Sequence, residues 1–505
     1  MSGGTMGIMG SGCELRTTLR FYRTFEKATD DLVAASDGKP IETVDFDGPE
    51  DPYHPLNWPV RKKVLTTVLY GLTTFSATYA SAAYSPANKT VSKLFEVDKG
   101  IALLGTSLLL LGFGFGPLIW APLSEYHGRK WAVVVPCFFA ALCSLGTARA
   151  QNIETVLATR FLTGFFGSSP ITCTGGVFAD IWKPTQRGTA IVGYALAVAG
   201  GPVFGPIVGG AIVTSGITWR WTEYLTAIIQ GVILVLDVLL LDESYASILL
   251  VYKARALRKS TGNPAYRAEF ESRAVTIREI LATYGLRPLQ MLCTPICFAV
   301  ATYASFIYGV FYACLASFPI IFQEERHMNE FIGALPFLAL LLGISAGSAV
   351  NVASQSYYRK VFHANSDVAV PEARLPPMMI GSFAFAAGLF VLGWTATPRL
   401  HWIFPCSGAA LMGFGYYTIF QSALNYLIDV FQRWGASAIA ANTFFRSTLA
   451  AAFPLVVPPL YHALGVGWAT SVFGAVAVCL IPIPFVFWTY GAAIRRTGKY
   501  TANMG

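Results

Sequence analysis

The chain has 505 residues, a charged fraction of 13%, a hydrophobic fraction of 54% and a mean hydropathy of +0.52. Ordinary soluble domains carry about twice that charge, so a string of soluble domains is excluded. The net charge of +8 does not point to nucleic acid, because the Lys and Arg fall mainly in alternate loops between apolar stretches, as membrane topology demands.

Residues 1–57 contain no apolar signal core, which leaves targeting to the first span. Leu15, Leu19, Tyr22 and Phe25 oppose Arg16, Arg20, Arg23 and Lys27 on a helical wheel, a pattern that suits either a basic surface helix or a loose cytosolic tail. Asn57-Trp58-Pro59 and Arg61-Lys62-Lys63 then lead into the membrane with an interfacial Trp. Twelve apolar stretches of bilayer-crossing length follow, at 63–83, 101–121, 131–149, 156–179, 189–213, 222–241, 292–322, 332–353, 377–396, 402–427, 436–461 and 467–490. The longest hydrophilic interruption divides them six and six. The expected organisation is a cytosolic tail (1–60), a six-helix bundle (61–243), a cytosolic central loop (244–291), a second six-helix bundle (292–490) and a cytosolic tail (491–505). With the N-terminus in the cytosol, the inner segments hold about 27 Lys and Arg and the outer loops about 7, so both termini are expected inside. The fold class is an all-α polytopic membrane protein of twelve transmembrane helices in two pseudo-symmetric bundles.

Asn88-Lys89-Thr90 in the first outer loop is a glycosylation sequon close to the membrane. Only Cys13 of the nine cysteines lies outside the predicted spans and no CxxC occurs, so no disulfide framework and no zinc site are expected. The six histidines form no HxxxH pair and there is no GxxxxGK[ST], which removes a metal centre and P-loop hydrolysis from the expectations. Gly343-Ile-Ser345-Ala-Gly347 matches GxSxG but lies mid-span, where small residues serve packing.

The halves carry a faint repeat. Asp180-Ile-Trp closes span 4 and Asp429-Val-Phe closes span 10, 249 residues apart, as are Trp219 and Trp468; LLLGFGFG from Leu109 and LLLGISAG from Leu340 are offset by 231. Two related six-span halves place a substrate site at the midplane between them.

Ionisable residues within the bilayer are functional candidates because an unpaired charge there costs at least about 3 kcal/mol. Arg160 on span 4 and Arg446 on span 11 are the two cations. Asp237 is the clear intramembrane acid, with Glu223 near the outer end of span 6 and Asp242 and Glu243 at its inner end. Arg160 can face a water-filled cavity and, with Glu223 or Asp237, link protonation to substrate release; it can equally pair with carbonyls or a carboxylate for structure alone. In the loop between spans 2 and 3, Glu125 precedes Gly128, Arg129 and Lys130, a set that can form an ion-pair latch or merely fix topology. On span 5, Gly201, Gly205 and Gly209 recur every fourth residue beside Gly210, Pro202 and Pro206, giving a kinked helix that lets a neighbour approach closely. Tyr303, Phe306, Tyr308, Phe311 and Tyr312 on span 7 and Tyr416, Tyr417, Phe420, Gln421 and Asn425 on span 10, with Asn442 and Arg446 on span 11, offer aromatic faces with polar handles suited to an amphipathic organic molecule.

Asn57-Trp58, APLSEYHGRK, RFLTGFFGSSP through GGVFADIW, the span 5 glycines, WRWTEY, NYLIDVF and ANTFFRS together resemble the major facilitator superfamily, and within it the fungal twelve-span drug:proton antiporters. The resemblance covers about residues 51–496 and departs from the usual loop pattern at Ala121 and Tyr126. It implies that Arg160 is the span 4 arginine of proton coupling, that Glu125, Gly128, Arg129 and Lys130 are the inner gating motif, and that Gly201, Gly205, Pro206, Gly209 and Gly210 are the antiporter motif. The expected function is proton-coupled efflux of a small organic substrate by alternating access. It would be driven by the proton gradient without a cofactor or nucleic acid, by a monomer in the plasma membrane. A polyamine or nutrient transporter of the same fold, and a non-transporting membrane sensor, are the alternatives.

Overall fold

The structure is a computed structural model that describes residues 42–272, 287–366, 370–431 and 435–497. Cys13, the wheel of residues 15–27 and the end of the C-terminal tail lie outside them. Helices run at Val60–Ala83 (span 1), Lys99–Phe115 with Pro117–His127 (span 2), Arg129–Arg149 (span 3), Ile153–Ile181 (span 4), Pro184–Thr214 (span 5) and Arg220–Leu240 (span 6). After the central loop come Pro295–Phe318 with a π-helical turn at Pro319–Glu324 (span 7), Pro336–Ala364 (span 8), Pro376–Trp394 (span 9), Ile403–Phe431 (span 10) and Gly435–Leu480. That last helix holds two spans, because the backbone turns back at Gly465 with φ of 75°; span 12 continues through Pro482–Thr497. Backbone groups in lipid have no partner outside the chain, so helix is the available solution. Prolines at the first turns of spans 5, 7, 8 and 9 start them where a missing N–H costs nothing.

Among the described residues, eight helices are long and apolar enough to cross a membrane, or nine when the two pieces of span 2, bent by 42°, count as one. The last of these contains both spans 11 and 12. Spans 1 and 4 fall short because they are rich in hydroxyls and charge: Thr73, Thr74, Ser76, Thr78 and Ser81 are buried on span 1, and Arg160, Thr163, Ser168, Ser169 and Thr174 on span 4. These helices turn polar faces to the protein, and several hydroxyls donate back to a carbonyl one turn earlier, as Thr73 does to Leu69 (2.8 Å).

The internal repeat is visible as matching helix crossings. A Cβ on Gly112 of span 2 would stand 2.5 Å from both Phe161 O and Phe165 N of span 4; one on Gly343 of span 8 would run into Ala410 O and stand 2.9 Å from Phe414 N of span 10. In return, Gly164 abuts Leu109 O and Gly413 abuts Leu340 O. Phe161 and Ala410, Phe165 and Phe414, and Gly164 and Gly413 are each 249 apart, and Leu109 and Leu340 are 231 apart. The short sequence matches thus mark the same backbone contact in each half. Trp219 and Trp468 share the offset but not the setting, since Trp219 is buried and Trp468 exposed.

The halves meet where span 2 packs on span 11 and span 5 on span 8. At the outer rim Lys89 reaches Glu324 (3.8 Å) and Ser85 Oγ donates to Leu315 O (3.0 Å). On the inner side, Glu42–Thr43 pairs in parallel with Tyr266–Arg267, and Lys253 of helix Ala246–Thr261 bonds Asp47 (2.7 Å). In that segment the Asp47 and Tyr53 N–H groups donate to Asp51 (2.8 Å each) and hold its carboxyl below the ordinary value. Trp58, expected at the lipid interface, is instead buried in one apolar cluster with Leu69, Tyr70, Val133 and Phe178, and Lys62, paired with Asp242 (2.7 Å), lies over its ring at 4.1 Å. Cys293, placed within a span by hydropathy, precedes the span 7 helix, which Pro295 starts.

Candidate functional site

Three elements converge on residues 78–83 of span 1, the run Thr-Tyr-Ala-Ser-Ala-Ala. The span 5 glycines lie directly against it: a Cβ on Gly201 would stand 2.6 Å from Tyr79 N, one on Gly205 2.8 Å from Ala83 N, and one on Gly209 2.5 Å from Ala83 O. Any side chain there would separate the two backbones. Gly210 faces the other half, where a Cβ would lie 2.6 Å from Glu330 O. Pro206 lies inside the span 5 helix with Pro202. Span 5 is therefore wedged between span 1 of its own half and the loop joining spans 7 and 8.

Arg160 reaches the same run from span 4. It is fully buried and donates to Ala80 O (2.7 Å), Gly105 O (3.0 Å) and Ser81 O (3.4 Å), pairs with Glu223 (3.2 Å), and lies 4.9 Å from the Tyr84 ring centre. Of the two settings open to Arg160 from the sequence, this conformation shows the pairing with carbonyls and a carboxylate, which enclose the guanidinium. Glu223 keeps one carboxylate oxygen, Oε2, without a hydrogen bond. Asp237 is also fully buried but lies 14 residues along span 6 from Glu223, about 21 Å at the helical rise. Its Oδ2 is 2.7 Å from Thr73 Oγ1, a hydroxyl already 2.8 Å from Leu69 O, and one hydroxyl proton cannot serve both acceptors. Asp237 borders a cavity of about 10 Å³ with Thr73, Ser76, Cys137 and Gln230, room for about one water. Of the two acids named from the sequence, Glu223 is the one on Arg160.

At the inner face Gly128 has φ of 95°, and a Cβ there would collide with the Glu243 carboxylate. Glu243 accepts the backbone N–H groups of Arg129 (2.8 Å) and Lys130 (3.1 Å), capping span 3. The Arg129 side chain pairs with Asp180 (3.2 Å) and donates to Ser124 (2.9 Å), and it lies against Gly176, where a Cβ would stand 2.7 Å from the guanidinium carbon. Lys130 Nζ donates to Val238 O (3.2 Å). Asp180 and Glu243 join the set expected at this loop, and Glu125, near the end of the helix that precedes Gly128, adds its negative charge beside Arg129. The second half repeats the arginine–aspartate pair: Arg374 pairs with Asp429 (2.9 Å), and Asp180 and Asp429 are the residues that marked the repeat. Each arginine also lies over a tyrosine, Arg129 over Tyr245 (4.9 Å) and Arg374 over Tyr358 (3.3 Å).

In the second half, Tyr308, Phe311, Tyr312, Tyr416 and Phe420 form one aromatic cluster. Phe311 and Tyr416 stack at 4.4 Å and 13°, and Tyr416 and Phe420 lie 5.8 Å apart at 6°. Arg446 sits 4.4 Å from the Tyr308 ring centre and 4.8 Å from that of Phe420. Tyr312 Oη is 3.1 Å from Ser81 Oγ, tying the cluster to the span 1 run that Arg160 grips. Tyr303 is not part of the cluster. Five residues before Tyr308 is about 140° around a helix, and Tyr303 donates to Ser382 of span 9 (2.8 Å). Gln421 and Asn442 are buried and Asn425 is half-buried one turn beyond Gln421. Asn88 opens the short outer helix Asn88–Leu94 with its Oδ1 buried and unpartnered.

Sequence reasoning missed the partners. Ala80, Ser81 and Ala83 act through backbone and small size, which no motif marks, and Asp180 was visible as a repeat marker but not as a counter-ion. Among the described residues no group of three or more His, Cys, Asp and Glu is placed to hold a metal.

The family model described as Major Facilitator Superfamily matches residues 70–454. The chain is 49% identical to a protein of Gibberella fujikuroi named efflux pump bik6, over 91% of this chain and 95% of that one. It is 40% identical to the citrinin biosynthesis cluster MFS transporter mrr1 of Monascus ruber, covering 91% and 93%, and 39% identical to the major facilitator superfamily multidrug transporter FLU1 of Candida albicans, covering 90% and 76%. In fold it is similar to the proton:xylose symporter XylE, with a TM-score of 0.64 at 14% identity over 86% of this chain and 96% of that one.

Proposed function

Since the chain belongs to the major facilitator superfamily, it is a multi-pass membrane transporter and not an enzyme, and we propose that it exports amphipathic organic compounds from the cytosol in exchange for protons. The observation that carries this reading is the 49% identity, over almost the whole of both chains, to a protein named an efflux pump. The geometry supports a route for the coupling. A proton arriving at Glu223 discharges it and leaves Arg160 without its counter-ion. The guanidinium then redistributes its hydrogen bonds over the carbonyls of Ala80, Ser81 and Gly105. Those carbonyls belong to spans 1 and 2, and span 1 carries on its other sides the span 5 glycines and Tyr312. A change at Glu223 therefore reaches the contact between the halves through one short run, and alternating access follows as the halves rock about it. The working unit is a single chain in the plasma membrane, with both termini in the cytosol.

Inside-out vesicles bearing the protein test this. With an acidic lumen they accumulate a fluorescent amphipathic dye, and a protonophore abolishes the accumulation. Accumulation that ignores the gradient, or that needs the opposite one, overturns the proposal in favour of uptake or of a transporter without proton coupling.

A further inference from the structure

Among the described residues, three other arginines that are buried or half-buried have acceptors for their guanidinium inside the protein. Arg160 holds Glu223 and three carbonyls, Arg129 holds Asp180 and Ser124, and Arg374 holds Asp429 and Gln355. Arg446 differs. It is 6% exposed, no described residue hydrogen-bonds its guanidinium, and its Nε is sealed from solvent without a partner. The titratable groups facing it are the hydroxyls of Tyr308, Tyr416 and, from span 5 of the opposite half, Tyr194. One turn earlier on span 11, Asn442 is fully buried with both Oδ1 and Nδ2 unpartnered.

Ring faces attract a guanidinium but accept none of its five N–H groups. A cation in a low-dielectric site calls for an anion and for acceptors in the guanidinium plane. Among the described residues none supplies either to Arg446. The flanking rings of Phe311, Tyr416 and Phe420 are close to parallel, so they offer flat faces to a flat molecule. Tyr194 places the site at the seam between the halves, where an exporter's substrate must pass.

We propose that Arg446 and Asn442 form the acid-binding end of the transport site, and that the substrate class is a planar aromatic acid. Its carboxylate would seat on the Arg446 guanidinium and the Asn442 amide, and its ring would lie on the faces of Tyr416 and Phe420. This rests on the export reading for its role in transport, but not for its binding chemistry.

The test is a matched set: anthracene-9-carboxylate, its methyl ester, and the cation of 9-(aminomethyl)anthracene. Binding to the purified full chain is followed by fluorescence, and accumulation by acid-lumen vesicles. The carboxylate is expected to bind at least about tenfold more tightly than the ester, and the cation most weakly. Arg446→Gln brings the carboxylate down to the level of the ester and leaves the ester unchanged; Arg446→Lys keeps part of the preference because it keeps the charge but not the planar fork. If Arg446→Gln does not yield folded protein, Asn442→Ala serves, with an expected loss of about fivefold for the carboxylate alone. Equal binding of carboxylate and ester by the wild type, or a variant that weakens all three probes alike, overturns the proposal. Carboxylate-selective binding without gradient-driven accumulation upholds the site and overturns the export reading instead.

Discussion

The two halves share their backbone contacts and differ in what they bury. Spans 2 and 4 cross at Gly112 and Gly164 as spans 8 and 10 cross at Gly343 and Gly413, and each half has an inner arginine–aspartate pair, Arg129–Asp180 and Arg374–Asp429. Away from those crossings the likeness ends. The first half buries Arg160 with Glu223, and Asp237 with Thr73; the second buries stacked aromatic rings around Arg446. Where the helices touch, a side chain larger than hydrogen would meet the facing backbone, and both halves carry glycine there. Where side chains rather than backbone fill the interior, the first half carries ion-paired and hydrogen-bonded acids and the second carries aromatic rings around an arginine, the division on which the proposed proton route and ligand site rest.

The sharpest way to break this division is Arg160→Ala. It leaves Glu223 buried without a cation, which costs about 3–5 kcal/mol, and is expected to abolish gradient-driven efflux while carboxylate-selective binding by the aromatic half persists. The double variant Arg160→Ala, Glu223→Gln should recover thermal stability but not transport. Efflux that survives Arg160→Ala would end the assignment of proton coupling to the first half.

A second measurement probes the shared scaffold. Gly112→Ala and Gly343→Ala each force a methyl onto the facing backbone, and overpacking of this kind costs about 1–3 kcal/mol. Melting of the purified protein should show losses of similar size for the two. A large loss for one and none for the other would mean that the crossings are not equivalent.

The smallest effects are expected at the inner face. Arg129→Gln and Arg374→Gln each remove a partly buried ion pair, and each should lower the efflux rate by about two- to fivefold without changing the binding preference, as loss of an inner-face contact predicts for part-exposed charges. A strongly unequal pair of rates would show that one latch alone governs opening.

Much of this was legible beforehand. Span positions follow from hydropathy, because a bilayer forces any apolar stretch of sufficient length into helix, and the glycine spacing of span 5 announced a close contact before its partner was known. Hydropathy was weakest at spans 1 and 4, whose hydroxyls and Arg160 lower it for the same reason that makes them the polar lining of the protein. The aromatic residues of spans 7 and 10 were legible as a set but not as a site: Tyr303 and Tyr308 are alike in sequence, and only helical rotation sends the first to Ser382 and the second to Arg446.

The class of fold, the twofold repeat and the short list of membrane charges could all be read along the chain, since each depends on local composition or spacing. The pairings could not, because they depend on which helices pack together and at what depth. Glu223 and Asp237 stand on one helix and look equally suited to Arg160, yet only Glu223 lies at its depth. Glu125 is four residues from Arg129, but the side-chain ion pair reaches across to Asp180 on another span. The run from Thr78 to Ala83 has no titratable group on Ala80 or Ser81 and no motif to mark it. It becomes the meeting point because small side chains expose its carbonyls and let three helices come within touching distance, which is a property of packing that no single stretch of sequence contains.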